Sequence, residues 1–169
     1  MPASDPISIL NRVLAILRRS FPQYARYSRP FIPPGRERAM QAIADVAITE
    51  EKLAEQVNNQ IIALGGLPNA GDFPTEFTDT HDLGIDYVIA EAMGYQRQDL
   101  VELESCRAAL GAHTEAEALV AEIVNIAKRH LKTFEELHVE PGASTKFTSN
   151  GAAGEAASPP AATAATPAS

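Results

Sequence analysis

Three side chains of the kinds that bind metal ions interrupt apolar helical stripes in this sequence. Glu50, Asp99 and His130 each stand at the three- and four-residue spacing that marks the buried side of a helix. The apolar residues at that spacing are Leu53, Val57 and Ile61 beside the first, Ile89, Ala92 and Leu103 beside the second, and Ile123, Ile126 and Phe134 beside the third. Two carboxylates and an imidazole match the ligands that Fe, Mn and Zn accept, so the pattern predicts a site for one such ion.

The same three residues have a second interpretation, in which they are structural. A single histidine in an apolar stripe is more often a hydrogen-bonded core residue than a metal ligand. Glu50 is followed by Glu51, and a stripe drawn one residue off would exchange the buried and the exposed carboxylate. A metal-binding protein and a non-catalytic bundle that acts as a scaffold or adaptor therefore both remain open. No nucleophile elbow or phosphate-binding loop is found, so no catalytic residue is predicted.

The first of four predicted helices begins at Ser4 or Asp5. Pro6 falls in its first turn, where a missing N–H costs nothing, whereas Pro22 is expected to kink the helix because the carbonyl four residues earlier loses its donor. Beside the main stripe of this helix runs a second apolar stripe that could form a dimer interface, made of Ile9, Val13 and Ile16. A homodimer or higher homo-oligomer is expected on that basis.

Three longer helices follow, and their connections indicate the fold. The spacing predicts helices over about residues 37–64, from near residue 80 to 110, and from 114 to a point before Pro141. The connection after the second helix is long enough to carry the chain along the bundle, while the other two are short turns. The prediction is an all-α four-helix bundle with one long crossover connection, which is the ferritin-like topology.

Composition sets limits on partners and location. The chain has 169 residues with a formal net charge of −8, so binding to nucleic acid or to anionic membrane surfaces is not expected. No apolar run approaches the ~20 residues that span a bilayer, and the first residues lack the pattern of a secretory signal. With a single cysteine, Cys106, these features predict a cytoplasmic protein.

A change of composition divides the chain into two predicted parts. Residues 1–140 contain the helical patterns and form the predicted bundle. Residues 141–169 are rich in Ala, Pro, Ser and Thr, with too little apolar surface to form a core, and are predicted to be a disordered tail. Such a tail could bind a protein partner, for example as an address that delivers the chain into a protein shell.

Several stretches resemble the ferritin-like superfamily, nearest to bacterioferritins and rubrerythrins. The first-helix stretch LNRVLAILRRSFPQYARYS (residues 10–28), the second-helix stretch EEKLAEQVNNQIIALGGLPN (50–69), and residues 99–137 for the last two helices carry the resemblance. It covers about residues 5–138. Active members of that family hold two irons and act in metal handling or oxidative-stress defence, so the resemblance implies a related role.

The resemblance also implies six ligand positions, of which this chain retains three. By spacing they fall on Leu17, Glu50, Leu53, Asp99, Ala127 and His130. Because three of these side chains are apolar, we expect a reduced site that holds one Fe, Mn or Zn ion. Nearby polar residues that could serve as substitute ligands are Tyr24, Asp86, Gln96 and Glu102.

Overall fold

The structure is all-helical, as the sequence predicts. It is a computed structural model that describes residues 5–75, 77, 83–111 and 114–138. The helices in chain order are α1 (Pro6–Arg18), α2 (Phe21–Ala25), α3 (Glu37–Ala63), α4 (Ile85–Leu110) and α5 (Thr114–Leu137). Within these residues there is no strand, only an isolated bridge between Phe31 and Gly84. The tail predicted at residues 141–169 lies outside the described residues, and so does the domain boundary at 140.

The predicted kink at Pro22 is wrong, because the helix ends and restarts there. α1 stops at Arg18, and Ser20 caps a new helix by accepting a hydrogen bond from the Gln23 backbone N–H at 3.3 Å. Pro22 then falls in the first turn of α2, where a backbone N–H would have no intrahelical acceptor, so its absence costs no hydrogen bond of the helix. Because Ser20 caps a new helix two residues earlier, Pro22 lies at the start of a helix and does not interrupt one.

The start of α4 also differs from the prediction. Residues 80–82 are not described, but Leu83 and Gly84 are non-helical, and the helix begins at Ile85. The Phe31 N–H donates to the Leu83 carbonyl at 3.0 Å, and the Ile85 N–H donates to the Phe31 carbonyl at 2.9 Å. This pairing with a distant residue holds the chain extended just before the helix, which a local pattern cannot reveal.

Contacts along the helices establish their directions. Gly66, beyond the end of α3, lies against Ile7 at the start of α1, while Ser20 contacts Glu50 nearer the other end, so these two helices are antiparallel. The α4–α5 pair is antiparallel too, with ion pairs Arg97–Glu135, Lys128–Glu104 and Arg107–Glu117 along its length.

The crossover connection runs the length of the bundle. Arg36, at the start of α3, donates to Asp86 in the first turn of α4 at 2.7 Å and to the Leu137 carbonyl at the end of α5 at 2.7 Å. α3 and α4 therefore start at the same end and run parallel. α3 has 27 residues, about 40 Å at the helical rise, so the connection between the end of α3 and the start of α4 must span that distance.

The predicted dimer stripe on α1 belongs largely to the core of the chain itself. Ile9 and Val13 are buried, and Ile16 is half-buried against the same cluster. The amphipathic stripe is wide because α1 packs against both α3 and α4, so its width does not indicate a second partner. Among the described helices, none is both long and apolar enough to cross a bilayer.

Candidate metal site

A layer of polar side chains separates two apolar clusters along the bundle. One cluster extends to Leu17, Leu53, Leu103 and Ala127, and the other begins at Phe21, Val46, Ala92 and Phe134. Between these limits lie Ser20 after α1, Glu50 on α3, Gln96 and Asp99 on α4, and His130 on α5. We call these five residues the polar layer. The break after α1 and the three long helices α3, α4 and α5 thus each contribute a polar residue at one level.

Glu50 is the most enclosed acid of the layer. It is 4% exposed, and its Oε2 accepts a hydrogen bond from the Ser20 hydroxyl at 2.5 Å. Burial raises the pKa of Glu50 to about 8, against the lowering effect of the Ser20 bond and with a further rise from Asp99. Glu50 is therefore protonated at neutral pH when no cation is bound.

Asp99 and His130 are half-buried and are also shifted toward their neutral forms. Burial raises the pKa of Asp99 to about 7, and the charge of Glu102 adds to the rise. Burial lowers the pKa of His130 to about 4, assisted by Arg129. A neutral imidazole has a free lone pair at pH 7, so His130 is in the form that binds a metal or accepts a proton.

A small interior cavity brings the predicted residues together. Its volume is about 10 Å³, close to the minimum that holds one water molecule. All six positions implied by the ferritin-like resemblance line it: Leu17, Glu50, Leu53, Asp99, Ala127 and His130. The six positions therefore lie around one small cavity of the bundle.

Gln96 also lines this cavity, and its carbonyl oxygen lacks a partner. The side chain is 2% exposed, and no group among the described residues donates to its Oε1. A buried acceptor left unpaired costs about 1–3 kcal/mol, so a water molecule or a cation in the cavity would stabilise this oxygen. The sequence places Gln96 in the α4 stripe, three residues before Asp99, but its unpaired state depends on the fold.

The other substitute ligands do not reach the cavity. Asp86 is paired with Arg36, and Tyr24 packs against Phe73 and Phe77. Glu102 lines a surface cleft outside the cavity. Of the four candidates, only Gln96 faces the point that the predicted ligands surround.

The ligand atoms surround the cavity without converging on one point. In the part of the chain that the structure describes, no three His, Cys, Asp or Glu side chains are grouped closely enough to hold a metal ion. Glu50 is engaged by Ser20 in this arrangement. Binding of an ion would require its carboxyl group to give up a proton and move, together with Asp99 and His130, toward a common center.

Two surface openings flank the cavity on opposite helix pairs. The α1–α4 cleft, about 340 Å³, shares Ile16 and Asp99 with the cavity and also reaches Ser20. The α3–α5 groove, about 550 Å³, shares His130 with it. Asp99 therefore borders both the cavity and the α1–α4 cleft, and His130 borders both the cavity and the α3–α5 groove.

Comparison of the chain with protein families, curated proteins and solved structures finds no match. The functional assignment therefore rests on the polar layer and on the order of the helices.

Proposed function

We propose that the protein is a ferritin-like four-helix bundle that binds a single divalent metal ion in its polar layer. The observation that carries the proposal is the cavity lined by Glu50, Asp99 and His130 together with the unpaired oxygen of Gln96. Three oxygen-bearing groups and an imidazole are a ligand set that Fe, Mn and Zn accept. Metal handling or defence against oxidative stress is the role that follows.

The helix order supports the ferritin-like part of the proposal. An antiparallel first pair, a crossover along the bundle and an antiparallel second pair are features of that topology. The first two long helices are α1 and α3, with the short α2 as an addition between them. The crossover places α4 parallel to α3, so that α3, α4 and α5 all present their middle turns to the same level.

The cavity supports one ion and not two. A two-metal site holds its ions ~3.5–4 Å apart and needs carboxylates that bridge them. Here Leu17, Leu53 and Ala127 form apolar walls at the level where further ligands would stand. A cavity of about 10 Å³ also lacks room for a second ion with its oxygen ligands.

The ligand groups imply weak, pH-dependent binding. The pKa of Glu50 is raised to about 8 and that of Asp99 to about 7, so a cation must displace protons from both carboxyl groups. The Ser20–Glu50 hydrogen bond must also break or rearrange. Affinity should therefore rise with pH up to about 8, with little discrimination among Zn, Mn and Fe.

A cobalt titration tests the proposal. Co²⁺ added to metal-free protein should bind at one ion per chain and give a visible absorption band. Glu50→Gln should weaken binding by ~10-fold or more, as loss of a metal-site group does. Glu51→Gln is the matched control, because Glu51 is exposed and pairs with Arg26. This variant should bind Co²⁺ with the same affinity as the parent. No Co²⁺ binding by the parent would contradict the proposal.

A second candidate function has its own support in the polar layer. The Ser20 hydroxyl supplies Glu50 with a protein partner, and the described residues contain no ready three-ligand group. A non-catalytic bundle that serves as an oligomeric scaffold, an adaptor or shell cargo would keep such a layer without any metal. Under this alternative, Co²⁺ should not bind, and Glu50→Leu should be neutral or stabilising by about 1–4 kcal/mol.

A further inference from the structure

The α1–α4 cleft has the size of a small-molecule site. Its volume of about 340 Å³ falls within the range of pockets that hold small ligands. One wall is a single face of α1 and its C-terminal cap, with members spaced by three and four residues: Arg12, Ala15, Ile16 and Arg19. The α3–α4 connection and α4 supply most of the remaining lining, namely Pro74, Phe77, Tyr95, Gln98, Asp99 and Glu102.

Arg19 is a fixed cation of this lining that lacks an ionic partner. Its Nη1 donates to the Asp72 carbonyl at 3.1 Å, and a Cβ added to Gly71 would lie 3.4 Å from the same nitrogen. Its Nε is buried without an acceptor, and Arg19 forms no ion pair within the described part of the chain. A buried donor left unpaired is costly, so an anion that bonds this guanidinium would be stabilised by it.

Asn11 fixes the segment that holds Arg19 in place. Its Nδ2 donates to the Leu67 carbonyl at 3.2 Å, and its Oδ1 accepts from the Asn69 N–H at 2.7 Å. The Asn69 side chain in turn accepts from the Gly71 N–H at 3.1 Å. These bonds attach the start of the α3–α4 connection to α1. Because the guanidinium is already ordered, a ligand that pairs with it has little side-chain entropy to remove.

Three aromatic rings form the apolar part of the lining. Phe21 stacks on Tyr95 with ring centroids 5.2 Å apart, and Phe77 meets Tyr95 edge-on at 5.0 Å. Phe21 and Phe77 are buried, whereas Tyr95 is half-buried. The rings hold one another in place and give the cleft an apolar surface at a fixed position.

We infer that the α1–α4 cleft binds a small organic carboxylate, with its carboxylate group on Arg19 and its hydrocarbon part against Ile16 and Tyr95. A guanidinium forms two parallel hydrogen bonds with a carboxylate, which a lysine ammonium does not. The inference goes beyond the proposed metal function and does not depend on it.

The unpaired donor decides which charge the cleft selects. Arg12 adds a second guanidinium, and Glu102 and Asp99 add two carboxyl groups, so the charged groups of the lining are equal in number. Among the lining residues, however, the only buried polar atom without a partner in the described structure is Arg19 Nε. An acid gains the pairing that this group lacks, and an amine does not.

Two probes of similar shape and opposite charge test the inference. In a titration followed by amide chemical shifts, hydrocinnamate should bind at one molecule per chain with a Kd on the order of 1 mM, as its size allows. The largest shifts should lie on the residues of the cleft. Phenethylamine should bind ~10-fold more weakly or not at all. No binding of hydrocinnamate, or equal binding of the amine, would overturn the inference.

Neighbouring arginines provide a matched pair of variants. Arg19→Gln should weaken hydrocinnamate binding by ~10-fold or more, as loss of a hydrogen bond to a charged group does. Arg18→Gln removes the same charge from a half-buried arginine that does not line the cleft, and it should bind the acid as the parent does. Equal weakening in both variants would reduce the effect to net charge and overturn the role of Arg19.

A steric variant keeps the test valid if Arg19→Gln disturbs folding. Ala15→Leu narrows the cleft without changing a charge, and Ala42→Leu is its control in the α3–α5 groove, since both alanines are half-buried on helices. Hydrocinnamate should bind Ala15→Leu several-fold more weakly and Ala42→Leu as tightly as the parent. Unchanged binding to Ala15→Leu would show that the acid binds outside the cleft.

Discussion

At the residue scale, Ser20 connects the break in the first helix to the chemistry of the polar layer. Its hydroxyl accepts a hydrogen bond from the Gln23 N–H and donates one to Glu50. The second bond gives the buried carboxyl a partner in the absence of metal, and the first fixes the hydroxyl where it can make that bond. Ser20 thus caps a helix locally and also donates a hydrogen bond to Glu50, which is 30 positions away in the chain.

The pKa shifts in the layer make stability depend on pH in a defined direction. The folded-state pKa of Glu50, about 8, lies above its ordinary 4.5, so the folded protein keeps a proton that the unfolded chain releases between those values. Its contribution to stability is complete at low pH and is lost as pH rises through 8. Asp99 acts in the same direction up to about 7. His130, lowered from 6.5 to about 4, acts oppositely, but only below 6.5.

Glu50→Gln should therefore flatten the pH dependence of the metal-free protein. Of the three titratable groups in the polar layer, the two carboxyl groups set the slope between about pH 6.5 and 8, and they should make the parent lose stability as pH rises. The loss due to Glu50 is at most about 1.4 kcal/mol per pH unit. Urea unfolding at several pH values measures it, with Glu51→Gln as the control that keeps the parent slope. An unchanged slope in Glu50→Gln would show that Glu50 is ionised in the folded protein.

The residues of the layer divide into those that a sequence can reveal and those that it cannot. Glu50, Asp99 and His130 are visible because helical spacing places each on a buried face, and the structure brings all three to one cavity. Ser20 and Gln96 matter through partners that they make or lack across the bundle. Such contacts depend on which helices are neighbours, which spacing within one helix does not determine.

At the element scale, one close backbone approach joins the first helix pair. A Cβ added to Gly66 would lie 2.6 Å from Ile7 Cγ2 and 3.0 Å from Ile61 Cγ2. This glycine follows the end of α3 and lets the start of α1 pack against it. The contact helps to set the register between α1 and α3, and that register places Ser20 opposite Glu50.

Two glycine-to-alanine changes should therefore have opposite effects. Gly66→Ala should destabilise by about 1–3 kcal/mol, because the added methyl group overlaps two isoleucines in a packed region. Gly94→Ala should stabilise by about 0.8–1.0 kcal/mol, since Gly94 lies inside α4 and nothing comes within 4 Å of its added Cβ. Chemical denaturation measures both changes. A tolerated Gly66→Ala would mean that the two helices shift apart at little cost.

Helix boundaries show where local signals are sufficient. The start of α1 is set by the neighbouring residues Asp5 and Pro6, and the end of α3 is set by the glycines that follow Leu64. The sequence predicts both boundaries. The start of α4 was not, because the bridge to Phe31 decides it. The interruption before α2 could have been predicted only by recognising Ser20 as a helix cap, which places Pro22, two residues later, in the first turn of a new helix.

At the scale of the whole molecule, the described helices form a closed core without the last part of the chain. The two apolar clusters are built from residues of the five helices together with Phe77 of the crossover connection. The order and direction of the helices followed from connection lengths, whereas the supposed dimer stripe on α1 proved to be core. A wide stripe does not distinguish contact with two neighbouring helices from contact with a second chain.

Removal of the chain after residue 142 should leave folding intact. The predicted tail contributes little apolar surface, so the midpoint of thermal unfolding should move by no more than ~2 °C, the shift that a change of about 0.5–1 kcal/mol causes. Calorimetry of the full-length and shortened proteins at equal concentration makes the comparison. A drop of many degrees would show that the tail packs on the bundle.

The central claim is that the polar layer holds one ion and cannot support two-iron chemistry. Anaerobic titration with Fe²⁺, followed by exposure to oxygen, tests it most directly through the metal stoichiometry and the near-ultraviolet absorbance. We predict at most one iron per chain at saturation and no rapid rise of the band of an oxo-bridged ferric pair. Two irons per chain with fast formation of that band would contradict the account, because residues other than Leu17, Leu53 and Ala127 would then have to supply the missing ligands.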